Sequence, residues 1–474
     1  MRISINKEIL KLAIPSILAN ITVPIVGMVD IAVAGHLDAN AATLIGGIAI
    51  GTMLFDLLYW NFGFLRVGTG GLTAQAYGRG DRKECASIFS RAIGIALACA
   101  IVLIALQWFF LKAAFLFVDC TPQVRDLASR YFFIRIWAAP ATLSLMAFKG
   151  WFIGMQDSVS PMVTDLIVNG MNVLMSFVLA LGVTAIGFEG IGFAGIAVGT
   201  LVAQYSGLVA AVLLVLVKYR KNTLATLGRS DLKDVFKGSE TRRFFVMNTD
   251  LFVRSLCFIA IYIGFTVISA RYGDLLLAVS SILMKLLMIF SYFTDGFAYA
   301  GEAMTGKYIG AKDGFMLRQT VKWTFVWSMG IALIFMGIYH FAGVPMLKMM
   351  TSDPQVVEAS VRYLPWLLLM PVIGCAAFTW DGIYIGATAS KAIRNSMLWA
   401  AFFFALVWFI GILCLNHFMP AAASSSAPSP AVPATRYGIM AMHILMAAYF
   451  AHLLARTVYL TVRYRKDVLF ISES

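Results

Sequence analysis

The chain has 474 residues, of which 60% are hydrophobic and only 13% charged, and its mean hydropathy is +0.83. Soluble globular proteins are about 25% charged and need polar cover on their surface, so this composition excludes a soluble enzyme, a disordered chain and a coiled coil. The net charge of +13 would suit a nucleic-acid partner, but the basic residues lie mostly in short loops between apolar segments, which indicates a multi-pass membrane protein without one.

Twelve apolar segments, each long enough to cross a bilayer, follow one another along the chain. They are predicted at 9–34, 43–75, 86–112, 127–153, 161–183, 190–217, 244–270, 275–308, 315–344, 357–388, 393–419 and 437–462. They are continuous apolar runs without alternation, so helices rather than barrel strands are predicted. The first is too long for the apolar core of a signal peptide, and we expect it to remain in the membrane.

Basic residues are distributed unequally between the two sides of these spans. With the N-terminus in the cytoplasm, 24 Lys and Arg lie on the inner side or near it, and seven lie outside: Lys112, Arg125, Arg130, Arg271, Lys348, Arg362 and Arg436. Cytoplasmic loops of membrane proteins carry this excess of Lys and Arg. The distribution predicts a protein of the cell's inner membrane with both termini in the cytoplasm.

The two halves of the chain repeat each other at one constant spacing. PQV at 122–124 recurs at 354–356, RY at 130–131 recurs at 362–363, and IG at 153–154 recurs at 385–386. Each half holds six spans, an even number, so both copies share one membrane orientation. We predict a six-helix lobe at 1–217, a cytoplasmic linker at 218–243 and a second six-helix lobe at 244–474. A low-complexity stretch at 421–433 is predicted to be an outer loop without a catalytic role.

Two segments are specific enough to indicate a family. They are YWNFGFLRVGTGGLTAQAYGRGD at 59–81 and WDGIYIGATASKAIRNSM at 380–397, and SYFTDGFAYAGEAMTGKYIGAKDG at 291–314 agrees with them. With the repeated halves, they resemble the multidrug and toxic compound extrusion (MATE) family, in its DinF-like branch, over nearly the whole chain.

The resemblance implies a V-shaped, all-α transporter of twelve helices. It implies secondary antiport by alternating access, in which organic, often cationic or amphipathic drugs and toxic metabolites leave in exchange for H⁺ or Na⁺. We expect a monomer in the lipid bilayer that uses small-molecule substrates and no cofactor besides the coupling ion. A lipid or lipid-linked oligosaccharide flippase is the alternative. A membrane-embedded enzyme is disfavoured, because the sequence contains no evident nucleophile–base pair or metal cluster.

Polar residues inside the first and fifth spans point to a coupling site, since a charge in the hydrocarbon region is costly. Asp30 follows Pro24, which removes a backbone hydrogen bond and can bend the helix, so its carboxylate could occupy a polar niche and take up a proton. Asn172 and Ser176 share one helix face, and Asn169 lies nearby. Many MATE relatives carry an acid at the place of Asp30 and an Asp at that of Ser176, so this chain keeps one acid of the two. A helix-end Asp in water and ordinary interhelical hydrogen bonding are the alternatives.

Carboxylates in the eighth and tenth spans form a second candidate site. Asp295, Tyr299 and Glu302 are spaced four and three residues apart and so share a helix face. Asp381 lies in the WDG segment, where the resemblance implies a functional Asp. These acids could share a proton or bind Na⁺ through oxygen ligands, with Asp381 and Glu302 as the predicted sodium ligands. Pairing with a basic residue, Lys285 or Arg254, is the alternative.

Other residues of the spans are predicted to line the polar cavity. Arg254 and Lys149 are two of them. Lys149 is the counterpart of Asp381 in the first copy of the repeat, so one lobe has a cation where the other has an anion. This difference predicts that the two lobes have different roles; the alternative is that Lys149 forms a salt bridge or extends to the membrane surface. Arg66 lies among glycines that let helices approach closely, and it could break the second span, position Asp30 or act as a structural tether. Trp60 precedes it and is also predicted to line the cavity.

Overall fold

The computed structural model describes residues 2–35, 37, 41–116, 118, 120–183, 187–228, 239–351, 353–418 and 436–470. The helices of this part of the chain are α1 (Arg2–Gly35), α2 (Ala41–Trp60), α3 (Phe64–Gly78), α4 (Arg82–Ala105), α5 (Gln107–Ala114), α6 (Pro122–Arg135), α7 (Ala139–Gly154), α8 (Val159–Leu181), α9 (Phe193–Tyr219), α10 (Ser239–Ala270), α11 (Asp274–Gly310), α12 (Gly314–Met350), α13 (Pro354–Val361), α14 (Leu364–Gly386), α15 (Ser390–Phe418) and α16 (Arg436–Tyr464).

The twelve predicted spans are confirmed. Twelve stretches of the described residues are long and apolar enough to cross a membrane. A short 3₁₀ turn, Asn61–Gly63, divides the second span into α2 and α3, and Ile136–Ala138 divides the fourth into α6 and α7. Residues 229–238 of the predicted linker and the predicted outer loop at 421–433 lie outside the described residues, and the boundaries of the two lobes stay a prediction.

The sequence repeat appears in the backbone. The side chain of Asp81 accepts a hydrogen bond from Glu84 N at the start of α4, and Asp313, its repeat counterpart, does the same for Met316 N at the start of α12. Gln156 and Thr388, which are related by the same spacing, both adopt a positive φ, of 64° and 55°, just after α7 and α14. Side chains other than glycine rarely adopt this conformation, so its recurrence at one repeat position supports two copies of the same local fold.

Buried apolar side chains join the two lobes at one end of the molecule, which we name the closed end. It is the end at which α1 begins and α16 finishes, and its core combines residues such as Ile9 of α1 and Phe297 of α11. Toward the other end, the cluster around Phe132 is built from residues 33–197, and the cluster around Phe290 from residues 261–453. A shared core at one end and separate cores at the other give the two-lobe architecture its V shape.

Glycines allow the helix backbones to approach closely at the closed end. A Cβ at Gly71 of α3 would collide with the Ile385 carbonyl, and one at Gly310 of α11 would collide with the Gln75 carbonyl. The Gln75 amide also donates to the Gly386 carbonyl at 3.0 Å, across the lobes. Backbone contact of this kind requires residues without side chains, which explains the glycine-rich segment of the second span.

Candidate functional site

The first part of the site is a buried carboxylate inside the first lobe. Asp30 of α1 is 7% exposed, so it is not a helix-end Asp in water. Ser176 Oγ of α8 donates to Asp30 Oδ1 at 3.1 Å, and Asn172 Nδ2 donates to Thr200 Oγ1 of α9 at 3.0 Å. The structure thus brings Asp30, Asn172 and Ser176 together in a small polar cluster between three helices.

The helix that carries Asp30 is continuous through Pro24. Because proline has no N–H, it cannot donate to the carbonyl of Asn20 one turn earlier. In the same region Asn20 Nδ2 donates to the Tyr292 carbonyl at 3.3 Å, and the Asn169 amide donates to the Thr22 hydroxyl. Asn169 therefore contacts α1, but at the level of Thr22 rather than at Asp30.

The second part of the site crosses from one lobe to the other. Arg66 Nη1, in the first turn of α3, lies 3.1 Å from Glu302 Oε2 of α11, and its guanidinium lies 4.5 Å from the centre of the Tyr299 ring. The Glu302 side chain is fully buried, and a Cβ at Gly70 would collide with its Oε1. Arg66 lies in the first turn of the helix that follows the 3₁₀ break, and its partner is Glu302 rather than Asp30.

The third part of the site is a charged triad within the second lobe. Asp381 Oδ2 of α14 accepts a hydrogen bond from Arg254 of α10 at 2.6 Å and another from Arg456 of α16. Asp381 Oδ1 is buried without a hydrogen-bond partner among the described residues. Lys285 is exposed, so of the two predicted pairing partners the structure uses Arg254.

The repeat counterpart of Asp381 has a different environment. Lys149 of α7 makes a 2.7 Å ion pair with Asp165 of α8, and both side chains are about one quarter exposed, at 24% and 27%. One lobe therefore has a lysine–aspartate pair where the other has an aspartate held by two arginines. The two lobes differ in charge at this repeat position, as the sequence predicts.

Asp295 and Trp60 are the remaining predicted site residues. Asp295 of α11 is half-buried, and within the described residues no hydrogen bond or ion pair reaches its carboxylate, although Arg66 is close enough to interact with it electrostatically. Trp60, at the end of α2, packs edge-on against Phe258 and Tyr262 of the second lobe, with ring centroids 6.2 and 5.4 Å apart. Trp60 thus forms an aromatic contact between the two lobes, and Asp295 keeps a carboxylate without an ion pair among the described residues.

Sequence reasoning missed several residues that complete these clusters. Asp165 and Thr200 stand in apolar spans with no motif around them, and only the three-dimensional packing places them beside Lys149 and Asn172. Gln75 lies inside the glycine-rich segment, whose polar residues could have identified it. Among the described residues no group of three or more His, Cys, Asp or Glu could hold a metal ion.

Known membrane proteins match this chain over most of its length. The family model described as MatE matches residues 15–178 and 251–407. The chain is 35% identical over 405 residues to DNA damage-inducible protein F of Escherichia coli (strain K12), covering 85% of both chains. It is 22% identical over 411 residues to the probable multidrug resistance protein NorM of Photorhabdus laumondii, covering 86% of both.

Solved structures share the fold. The outward-facing conformation of a multidrug resistance MATE family transporter matches with a TM-score of 0.80 at 14% identity, over 99% of this chain and 96% of that one. A transporter from Pyrococcus furiosus, whose binding pocket is described as having reverse polarity, matches with a TM-score of 0.77 at 14% identity, over 99% and 97%.

Proposed function

Because this chain belongs to the MatE family of membrane transporters, we propose that it exports organic, often cationic or amphipathic compounds such as drugs and toxic metabolites, in exchange for H⁺ or Na⁺. As a family member it is a transporter and not an enzyme. The relatives named multidrug resistance proteins support the substrate class. Its basic loops support a place in the inner membrane with both termini in the cytoplasm. We propose that it works as a monomer.

The proposal is supported chiefly by the way the hydrophobic core is divided between the two lobes. One apolar cluster spans both lobes at the closed end, whereas the clusters toward the other end belong to one lobe each. With the termini in the cytoplasm, the closed end faces inward and the cleft faces outward. The opposite state requires the contacts at the closed end to part, and substrate and ion drive this change only if they bind the two states with different affinity.

Asp30 is the proposed site of proton coupling in the first lobe. Its carboxylate is buried and receives one hydrogen bond, from Ser176, while the Arg135 guanidinium acts on it only from a distance, so the charged form is incompletely compensated. A proton arriving from the open cleft would remove that charge and change the hydrogen bonds between α1 and α8. Because Pro24 leaves α1 with one fewer backbone hydrogen bond, this helix is the element that can bend in response.

The cleft is suited to a positively charged, flat or amphipathic compound. The Asp295 carboxylate has no ion-pair partner among the described residues, and the basic side chains that act on it do so only from a distance, so it can pair directly with a cation. The rings of Trp60 and Tyr262, packed across the two lobes, provide apolar surface, and aromatic faces also attract cations.

An oligosaccharide phosphate carrier would instead require several unpaired cations, and Arg66 and Arg254 are each bound to a carboxylate. Arg135 of α6 contacts Tyr131 and no carboxylate of the described residues, so it is the arginine that such a carrier could use.

Asp381 and Glu302 have arginine partners, so we propose that they act first as structural charges. Two guanidinium groups on Asp381 would repel Na⁺, and a sodium ion at Glu302 would have to displace Arg66. Sodium coupling through Asp381 and Glu302 therefore requires a second conformation in which the arginines have moved away. Proton coupling requires no such movement at Asp30.

The experiment is efflux measured in everted membrane vesicles. Vesicles that contain the protein should accumulate an organic cation when a pH gradient, acid inside, is imposed, and Asp295→Asn should weaken that uptake without abolishing membrane insertion. Accumulation driven by a sodium gradient imposed alone would identify Na⁺ as the coupling ion. Accumulation that needs neither gradient, or transport of a lipid probe but of no organic cation, would contradict the proposal.

A further inference from the structure

A groove on the outside of the first lobe is separate from the cleft between the lobes. It has a volume of about 730 Å³ and lies along the first four turns of α1, beside Val159 at the start of α8. Asn6, Lys7 and Lys11 line its rim at the closed end, and Leu10 and Ile14 line its floor. The transport mechanism proposed above does not use it.

The side chains along this groove change from basic to apolar in the direction of the membrane interior. Lys7, Lys11, Ile14 and Leu18 are spaced four, three and four residues apart, so they share one face of α1. All four are exposed in the protein alone, Ile14 to 50% and Leu18 to 51%. Exposed Ile and Leu within a span face lipid chains, and lysines at the span's end lie at the level of the headgroups.

The two lysines have no acidic partner in the part of the chain that the structure describes. Among the described residues neither Lys7 nor Lys11 forms an ion pair, and Glu8 on the neighbouring face is taken by Lys307 at 3.1 Å. The groove itself is lined by no carboxylate of the described residues. Two free ammonium groups above an apolar floor complement a phosphate that carries acyl chains.

The second lobe has a basic groove at the repeat-related place. It is smaller, about 280 Å³, and is lined by Arg242 and Arg243 at the start of α10 and by Ser390 at the start of α15. Ser390 is the repeat counterpart of Ser158, the residue before Val159. By the same spacing Arg243 is the repeat counterpart of Lys11, and both lobes present paired basic residues beside the first turn of the fifth helix.

We propose that the groove of Lys7 and Lys11 binds an anionic phospholipid of the membrane leaflet at the closed end. The two ammonium groups hold the phosphate, and an acyl chain lies along Ile14 and Leu18. Basic pockets at the cytoplasmic ends of transmembrane helices are suited to anionic headgroups, and each lysine near an anionic surface strengthens binding about fivefold. Because the groove is built on α1, bound lipid would hold the same helix that carries Asp30.

The test is lipid binding to the delipidated full-length protein by native mass spectrometry. Wild type should retain phosphatidylglycerol in preference to phosphatidylcholine, and inorganic phosphate should not compete, because it lacks the chains. Lys7→Gln with Lys11→Gln should weaken phosphatidylglycerol binding roughly 30-fold. Val159→Trp, which fills the groove without changing its charge, should weaken it as well.

The matched control is Lys221→Gln with Lys322→Gln, two exposed lysines at the same end of the molecule but outside the groove. This pair should retain phosphatidylglycerol as wild type does. Equal loss in the two lysine pairs would show only a general effect of surface charge and would overturn the proposal. So would an absence of preference between the two lipids, or unchanged binding in Val159→Trp.

Discussion

Arg66 Nη1 lies 3.1 Å from Glu302 Oε2, and this ion pair joins the first lobe to the second beside the glycine-rich contact of α3 with α11. The carboxylate is fully buried and the guanidinium is 15% exposed. Removing one partner of a buried pair typically costs about 3–5 kcal/mol, because the other charge stays buried without compensation. The pair is therefore expected to hold the closed end shut until transport opens it.

Removing the positive charge should loosen the closed end. We expect Arg66→Gln to increase, by about tenfold or more, the rate at which a thiol reagent labels Ala303→Cys, a position buried at the closed end, in a background without the six native cysteines. The charge exchange Arg66→Glu with Glu302→Arg should restore slow labelling. Lys307→Gln, which removes the more exposed pair with Glu8, serves as the control and should change the rate less than about fivefold. Equal rates in Arg66→Gln and wild type would show that the pair does not hold the lobes together.

A methyl group at Gly70 should have an effect similar to loss of the ion pair. The added Cβ of Gly70→Ala would collide with the Glu302 carboxylate, so the pair or the helix contact must shift. We expect a lower Tm and reduced transport. Gly170→Ala is the control, since nothing lies within 4 Å of its added Cβ, and it should be neutral or raise stability by up to about 1 kcal/mol. Normal transport and an unchanged Tm in Gly70→Ala would contradict the close contact.

Asp157, between α7 and α8, predicts a dependence of stability on pH. Burial acts to raise the pKa of its carboxyl, but hydrogen bonds from Ser160, Lys218 and Tyr219 outweigh burial and hold the pKa below its usual value. A carboxylate with a depressed pKa stabilises the fold above the unfolded pKa of about 3.9, and that stabilisation is lost as the pH falls through the folded value. Asp157→Asn should thus lower Tm at pH 7, and the difference from wild type should shrink below about pH 4. A difference that is the same at pH 7 and pH 3.5 would assign the effect to packing alone.

The orientation in the membrane can be tested with reporters. The 24-to-7 distribution of Lys and Arg, with an even number of spans, predicts that an activity reporter inserted after Arg229 reads cytoplasmic and one inserted near Ser425 reads external. A fusion at the C-terminus, after Ser474, should also read cytoplasmic. If the insertions at Arg229 and Ser425 report the same side, the placement of the closed end toward the cytoplasm is wrong.

Much of the fold could be predicted because membrane spans are long and apolar. A bilayer requires about 20 apolar residues per helix, so hydropathy alone located all twelve spans. The motifs repeated at one constant spacing indicated the two lobes, and the backbone of Gln156 and Thr388 agrees with them. Each span and each motif is a short continuous segment, so it can be identified without knowing how the helices pack.

The pairing of charges could be predicted only in part. A polar niche was expected for Asp30, with Asn172 and Ser176 on one face of the fifth span, but the hydrogen bond from Ser176 to Asp30 was not predicted. The link from Arg66 to Glu302 joins residues that are far apart in the sequence and lie in different lobes, and no spacing rule predicts such a contact. Arg456, as the second partner of Asp381, is likewise determined by how α16 packs on α14.

Proton flux in proteoliposomes shows whether proton movement through Asp30 drives export. Purified wild type should release protons from Asp30 on one side as an organic cation moves to the other, so adding substrate should shift a pH-sensitive dye. Asp30→Asn keeps the shape and the hydrogen-bonding capacity of the side chain but cannot exchange a proton, so it should insert and fold yet give no substrate-induced proton movement. Asp30→Glu should retain part of it. Undiminished proton-coupled transport by Asp30→Asn would contradict the account.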